Sequence, residues 1–154
     1  MSDFAPANPA PDTARTDVAI AVIQRSGKVL ICQRKGGGSF AGYWEFPGGK
    51  REPPESIIEC LEREIREELG IEVEPDRALQ TIDHDYPAGR IRLHPYLCTS
   101  HSGEPQALAA RCAKWVEPPD LKHHQFPPAN DELIDEVIAS LTEPLPAPPR
   151  DDRR

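Results

Sequence analysis

The stretch from Gly49 to Ile71, GKREPPESIIECLEREIREELGI, constrains this chain more than any other. It spells a helix with both ends marked. Ser56 is an N-cap residue, and Glu59 three positions on completes a capping box. Ile58, Leu61, Ile65 and Leu69 recur at helical spacing, and Gly70 supplies a C-cap. At roughly 100° per residue, Glu64, Glu68 and Glu67 fan out in that order beside the apolar stripe. They sit at the margin of the buried face rather than on the outer one.

A solvated charged helix accounts for part of this acidity. Glu59 lies four before Arg63, and Glu62 four before Arg66; such pairs support a helix by roughly 0.2–0.5 kcal/mol each. Glu67, four after Arg63, can share that arginine. Glu64 and Glu68 are a like-charge pair at the same spacing, which destabilises a helix. Three carboxylates crowded behind a Phe46-Pro47-Gly48-Gly49 loop repel one another unless a cation holds them. Hard oxygen donors of this kind suit Mg²⁺, with Mn²⁺ possible.

The chain has 154 residues, enough for one domain with a core. Its net charge of −8 argues against sequence-independent nucleic-acid binding, which needs Lys and Arg to neutralise phosphates. A small polyanionic substrate can still bind where divalent cations cancel its charge. No apolar run reaches transmembrane length and no signal-peptide pattern opens the chain. We expect a cytoplasmic monomer with no membrane or nucleic-acid partner. Cys32, Cys60, Cys98 and Cys112 are widely spaced and read as reduced, mostly buried thiols. The five histidines show no metal-binding spacing.

Residues 1–15 and 143–154 are Pro-rich and charged and read as tails around a domain spanning 16–142. Within the domain, Asp17–Gln24 and Lys28–Arg34 read as a hairpin. Lys35–Ser39 is a glycine-rich loop without the Lys-Ser/Thr of a phosphate-binding loop, so a mobile loop is expected. Tyr43–Phe46, Leu79–Tyr86, Ile91–Thr99 and Arg111–Glu117 read as further strands. Pro95 predicts an edge or a bulge in the third of these. Leu133, Ile134, Val137, Ile138 and Leu141 mark a closing amphipathic helix.

The pattern Gly49, Glu55, Arg63, Glu64, Ile65, Glu67, Glu68, Gly70, Ile71 resembles the Nudix box of Nudix hydrolases at every defining position. The resemblance implies an α/β/α sandwich around a mixed β-sheet. It also implies Mg²⁺-dependent hydrolysis of a nucleoside diphosphate linked to another group. By the same resemblance Glu64, Glu67 and Glu68 hold the metal and the Gly49 carbonyl joins them. Arg63 orients the carboxylates, and Glu55 ties the loop to the helix. Lys50 could neutralise phosphate charge, or stand solvated.

Outside the box the resemblance narrows to the MutT-type branch, which converts nucleoside triphosphates to monophosphate and pyrophosphate. Phe46 matches the base-pocket aromatic of that branch, and Arg34 a nucleotide-contacting position. Asn130 in Phe126-Pro127-Pro128-Ala129-Asn130 matches the asparagine that reads an oxidised guanine. The alternatives are that Phe46 serves only the core, Arg34 only the surface, and Asn130 only as an N-cap. The additional glutamate common in this branch is missing: counting back from Trp115, its slot is Ala109. Glu104, Asp83 and Asp85 are the nearest acids that could replace it. The expected substrate is 8-oxo-dGTP, removed from the nucleotide pool before it reaches DNA. The rivals are a pyrimidine nucleotide such as CTP or dCTP, then a nucleotide sugar. A rival of another class is a non-catalytic module that binds oxidised guanine.

Overall fold

The computed structural model describes residues 15–100 and 103–142. The expectations for the two tails therefore lie almost wholly outside the described residues. The first strand, β1, covers Arg15–Arg25, opening one residue before the expected domain start. It turns back into β2, Lys28–Gln33, through Ser26-Gly27. There follow β3 (Trp44–Glu45), β4 (Gly48–Lys50), α1 (Ile57–Leu69), β5 (Glu74–Ala78), β6 (Ile82–Tyr86), β7 (Gly89–Thr99), β8 (Cys112–Val116) and α2 (Asp131–Thr142). Short 3-10 turns at Pro118–His123 and Pro128–Asn130 lead into α2.

The eight strands form one mixed sheet. At its centre β1 runs parallel to β7, from Arg15 opposite Arg90 to Gln24 opposite Thr99. The other pairings are antiparallel. Alternation along β1 then sorts the core into two layers, because successive strand residues face opposite sides. Ala19, Ala21 and Ile23 pack with Leu61, Ile65 and Leu69 of α1. Ile20 and Val22 pack with Leu133, Ile134 and Val137 of α2. The result is the α/β/α sandwich that the sequence resemblance implied. None of the described helices is long and apolar enough to cross a membrane.

Helix α1 ends as its sequence dictates. The Ser56 hydroxyl accepts the Glu59 N–H (3.0 Å) and the Glu59 carboxylate accepts the Ser56 N–H (2.8 Å). Gly70 closes the helix at φ 70°, its N–H donating to the Arg66 carbonyl. Three expectations need correcting. Gly48–Lys50, read as loop, is a strand against β1. Glu74–Ala78, read as a link, is a strand against β7, with an irregularity between Pro75 and Arg77. Pro95 marks neither an edge nor a bulge, for β7 is bonded along both sides. Its carbonyl accepts the Leu79 N–H at 2.8 Å. A strand residue's nitrogen and carbonyl point the same way. The nitrogen of Pro95 therefore faces the break between the end of β5 and the start of β6, where the ladder changes partner.

Candidate active site

The site follows from how β1 and β2 separate. They pair at their turn, Gln24 opposite Val29 and Arg25 opposite Lys28, and then diverge. β3 takes up β2 at Cys32 and Gln33, and β4 takes up β1 from Val18 to Ile20. The segment Trp44–Lys50 thus fills the fork, with the Ala21 N–H donating to the Pro47 carbonyl at 2.8 Å. Its glycines stand where side chains cannot. A Cβ on Gly48 would overlap the Ala19 carbonyl, and a Cβ on Gly49 would overlap the Glu64 carboxylate. Helix α1 therefore lays Glu64 directly against the backbone of β4.

Glu68 follows one turn later. Its carboxylate accepts the Gly48 N–H at 3.3 Å. Burial, and then the neighbouring Glu64, push its pKa up to about 8, so at neutral pH this pair shares a proton. A proton is the smallest cation such a pair can hold, and the donors are hard oxygens suited to a divalent ion. The Gly49 carbonyl, placed in the metal site by the family resemblance, accepts the Cys60 thiol at 3.5 Å.

Arg63 organises the same face. It grips Glu55 through two nitrogens (2.6 and 3.0 Å) and reaches Glu64 at 3.0 Å and Glu67 at 3.2 Å. It also donates to the Lys50 carbonyl at 3.3 Å. The Arg63 bonds, and then the Glu52 N–H, hold the Glu55 carboxyl down at about 2. The structure thus brings Glu64 and Glu68 together, while Glu67 turns outward to Arg63 and is 60% exposed. Among the described residues no three acidic, histidine or cysteine side chains form a ready-made cage.

On the other side of Trp44–Lys50 lies a cavity of about 240 Å³. Val18, Ile20, Phe46, Ile91 and Leu93 give it apolar walls, and Arg34, Glu45 and Asn130 line it with polar atoms. Phe46 is 2% exposed and stacks near Phe126, so it serves the core and the cavity together. Arg34 donates to Glu45 at 2.8 Å. Asn130 is buried in the turn before α2, where its amide nitrogen donates to the Pro127 carbonyl at 3.3 Å. That bond differs from an N-cap, in which the side-chain oxygen accepts from the helix. The side chain of Lys50 is exposed and stands apart from this cavity's lining.

Sequence reasoning passed over Glu45, Phe40 and Tyr86, all of which line the cavity. Alternation held no signal for Glu45, since it sets Glu45 on the face opposite to Trp44 and Phe46. Of the acids weighed as replacements at Ala109, Asp83 and Asp85 are taken by Arg92 and Arg90, each at 2.7 Å. Ala109 follows a segment that caps the end of α1: the Gln106 and Leu108 N–H groups donate to Leu69 and Glu68.

A family profile described as NUDIX domain matches residues 18–136. A CTP pyrophosphohydrolase of Escherichia coli (strain K12) is 35% identical over 123 residues, 80% of this chain and 91% of that protein. An 8-oxo-dGTP diphosphatase of Haemophilus influenzae is 35% identical over 122 residues, covering 79% and 90%. Among solved structures, that of the E. coli ORF135 protein superposes with a TM-score of 0.78 at 33% identity, over 92% of this chain and all of that one. A MutT structure from work on Aliivibrio salmonicida and Vibrio cholerae gives 0.67 at 31% identity, over 80% and 96%.

Proposed function

The chain belongs to the Nudix hydrolases, of MutT type, and from that premise we propose that it converts 8-oxo-dGTP to the monophosphate and pyrophosphate. The observation that carries this reading is the juxtaposition of two half-sites across Trp44–Lys50. Glu45 lines the cavity, and its charge also bears on Glu68 of the carboxylate helix. A nucleotide can therefore seat its base on one side and offer its phosphates to the other.

Nudix hydrolases generally need a divalent metal. Glu64, Glu67 and Glu68 with the Gly49 carbonyl are the groups that would hold Mg²⁺ or Mn²⁺ here. When bound, such an ion would supply Lewis-acid charge stabilisation and a more acidic water. The protein's own part is positioning, which dominates phosphoryl transfer. Arg63 fixes Glu64, and β4 presents bare backbone beside it. In the cavity the Asn130 amide can pair with the polar edge of a purine, and Arg34 contributes a fixed positive charge. The reading takes the working unit to be a monomer in the cytoplasm, clearing an oxidised base from the nucleotide pool.

A pyrimidine nucleotide is the second reading, favoured by similarity to the E. coli CTP pyrophosphohydrolase. Steady-state assays with Mg²⁺ on 8-oxo-dGTP, dGTP, CTP and dCTP, scoring pyrophosphate, separate the two. The highest kcat/KM should fall on 8-oxo-dGTP. A clear preference for CTP or dCTP overturns the first reading and establishes the second.

A further inference from the structure

The glycine-rich loop after β2 has no part in the reading above, yet it carries an unusual residue. Phe40 adopts φ 60°, one of two non-glycine residues with positive φ among those described. A bulky side chain rarely takes that conformation, and such outliers persist where surrounding structure demands them, often at ligand sites. The demand is visible in where the ring goes. Phe40 lines the cavity, with its ring edge-on to Tyr43 at 5.2 Å and to Tyr86 at 5.8 Å.

Phe40 and Tyr86, whose rings meet at the cavity, are mounted differently. Tyr86 ends β6, held in the sheet opposite Gly89 of β7. Phe40 stands on a short span with Gly36, Gly37 and Gly38 before it and Gly42 after it. A Cβ at any of these four would meet nothing within 4 Å. The span is tied at its base, where the Gly42 N–H donates to the Arg34 carbonyl and the Arg34 N–H to the Tyr43 carbonyl. Phe40 is thus a ring on a free-standing arm over the cavity, facing a ring on a fixed post. The cavity's 240 Å³ is below the roughly 300–1,000 Å³ of sites that enclose a whole drug-sized ligand. It suits one planar ring system, with sugar and phosphates left outside.

We propose that Phe40 is a specificity-determining residue that stacks on the substrate's base, with Tyr86 as its backing, so that the enzyme selects for an aromatic base before Asn130 reads its edge. The inference rests on the nucleotide reading above. Base–aromatic stacking tolerates any base and alters affinity on the order of 10- to 100-fold per base. Removing the ring should therefore weaken purine and pyrimidine nucleotides alike.

Phe40→Gly is the informative variant, because glycine adopts the same φ without strain. Phe40→Leu keeps bulk without a ring, and Phe40→Trp keeps a ring. Calorimetric binding of 8-oxo-dGMP, dGMP, dCMP and ribose 5-phosphate needs no turnover. Phe40→Gly and Phe40→Leu should bind the three nucleotides on the order of 10- to 100-fold more weakly. Phe40→Trp should bind them nearly as well as the wild type, and ribose 5-phosphate should be indifferent to all three changes. Equal weakening of ribose 5-phosphate, or wild-type nucleotide binding by Phe40→Leu, overturns the stacking role while leaving the nucleotide reading intact. Failure of the wild-type protein to prefer any nucleotide over ribose 5-phosphate overturns both.

Discussion

Gly49 and Glu68 show how much a single residue can decide at this site. A methyl group on Gly49 would occupy the space of the Glu64 carboxylate. Gly49→Ala should then push that carboxylate aside. A misplacement of about 1 Å can cost on the order of 10²-fold in rate, and kcat at saturating Mg²⁺ will show it. Glu67→Gln and Glu68→Gln should each lower kcat by ~10²–10⁴ with the circular-dichroism spectrum unchanged. Near-wild-type turnover in either would remove that residue from the metal site. Glu68 also sets a pH dependence. Its carboxyl is raised by burial, and then by Glu64, from the ordinary 4.5 to about 8. In that interval the folded protein binds the extra proton. Its contribution to stability is complete below 4.5 and fades as pH rises through 8. Metal-free Tm should therefore decline across this window in the wild type and less so in Glu68→Gln. A wild-type Tm flat from pH 5 to 9 would contradict the shared proton. Asn130→Ala should reduce kcat/KM for 8-oxo-dGTP far more than for dCTP, since a site built to pair with a polar edge discriminates by it. A lower Tm with an unchanged substrate ratio would leave Asn130 a purely structural role.

At the scale of elements, α1 and the Glu52–Glu55 turn are one unit, joined by Arg63. Arg63 and the Glu52 N–H hold Glu55 down at about 2, against an ordinary value of 4.5. The sign is opposite to that of Glu68: this contribution is complete above 4.5 and is lost as pH falls through 2. Acid unfolding followed by circular dichroism should show Glu55→Gln losing less stability than the wild type between pH 4.5 and 2. A parallel loss in both would mean the pair does not couple to folding. This helix was legible in the sequence because everything that defines it is local: caps, stripe and charge spacing. The neighbouring strands were not. Gly48-Gly49-Lys50 has no strand propensity, and it becomes β4 because the diverging β1 leaves an edge that this segment fills. Glu74–Ala78 is charged and interrupted by proline, and it is a strand only because β7 offers it a ladder. Pro95 misled for a related reason: the break it sits at belongs to the partner strands. The carboxylate face, drawn from one helix and the segment just before it, could be read in advance. The cavity could be read only in part, because its lining comes from β1, β3, β6, β7, the residue just after β2, the glycine loop and the turn before α2.

The whole molecule closes around the parallel pairing of β1 with β7, which joins Arg15–Gln24 to Arg90–Thr99. That pairing separates the two core layers, and it supplies the Val18, Ile20, Ile91 and Leu93 walls of the cavity. Both layers, among the described residues, are built from strands and helices between Arg15 and Thr142. Arg15 belongs to this body, for it opens the ladder opposite Arg90 and its guanidinium donates to Asp17 at 3.1 Å. Asp17 in turn holds His94 of β7 at 2.9 Å, so the first three residues of β1 help to fasten the sheet's centre. We therefore expect the folding boundary to be sharp. A chain of residues 15–142 should keep the Tm and kcat/KM of the full protein, because it retains both layers and every residue assigned to the site. A chain beginning at Ala21 should fail to fold cooperatively. It lacks six of the ten β1 residues paired with β7, the β1 partners of β4, and two walls of the cavity. Thermal melts of the two chains, with kcat/KM for the first, test the boundary from both sides. A large fall in Tm for residues 15–142 would mean that an end segment packs on the domain. A cooperative melt for the chain beginning at Ala21 would mean that β1 is not the strand on which the sandwich closes.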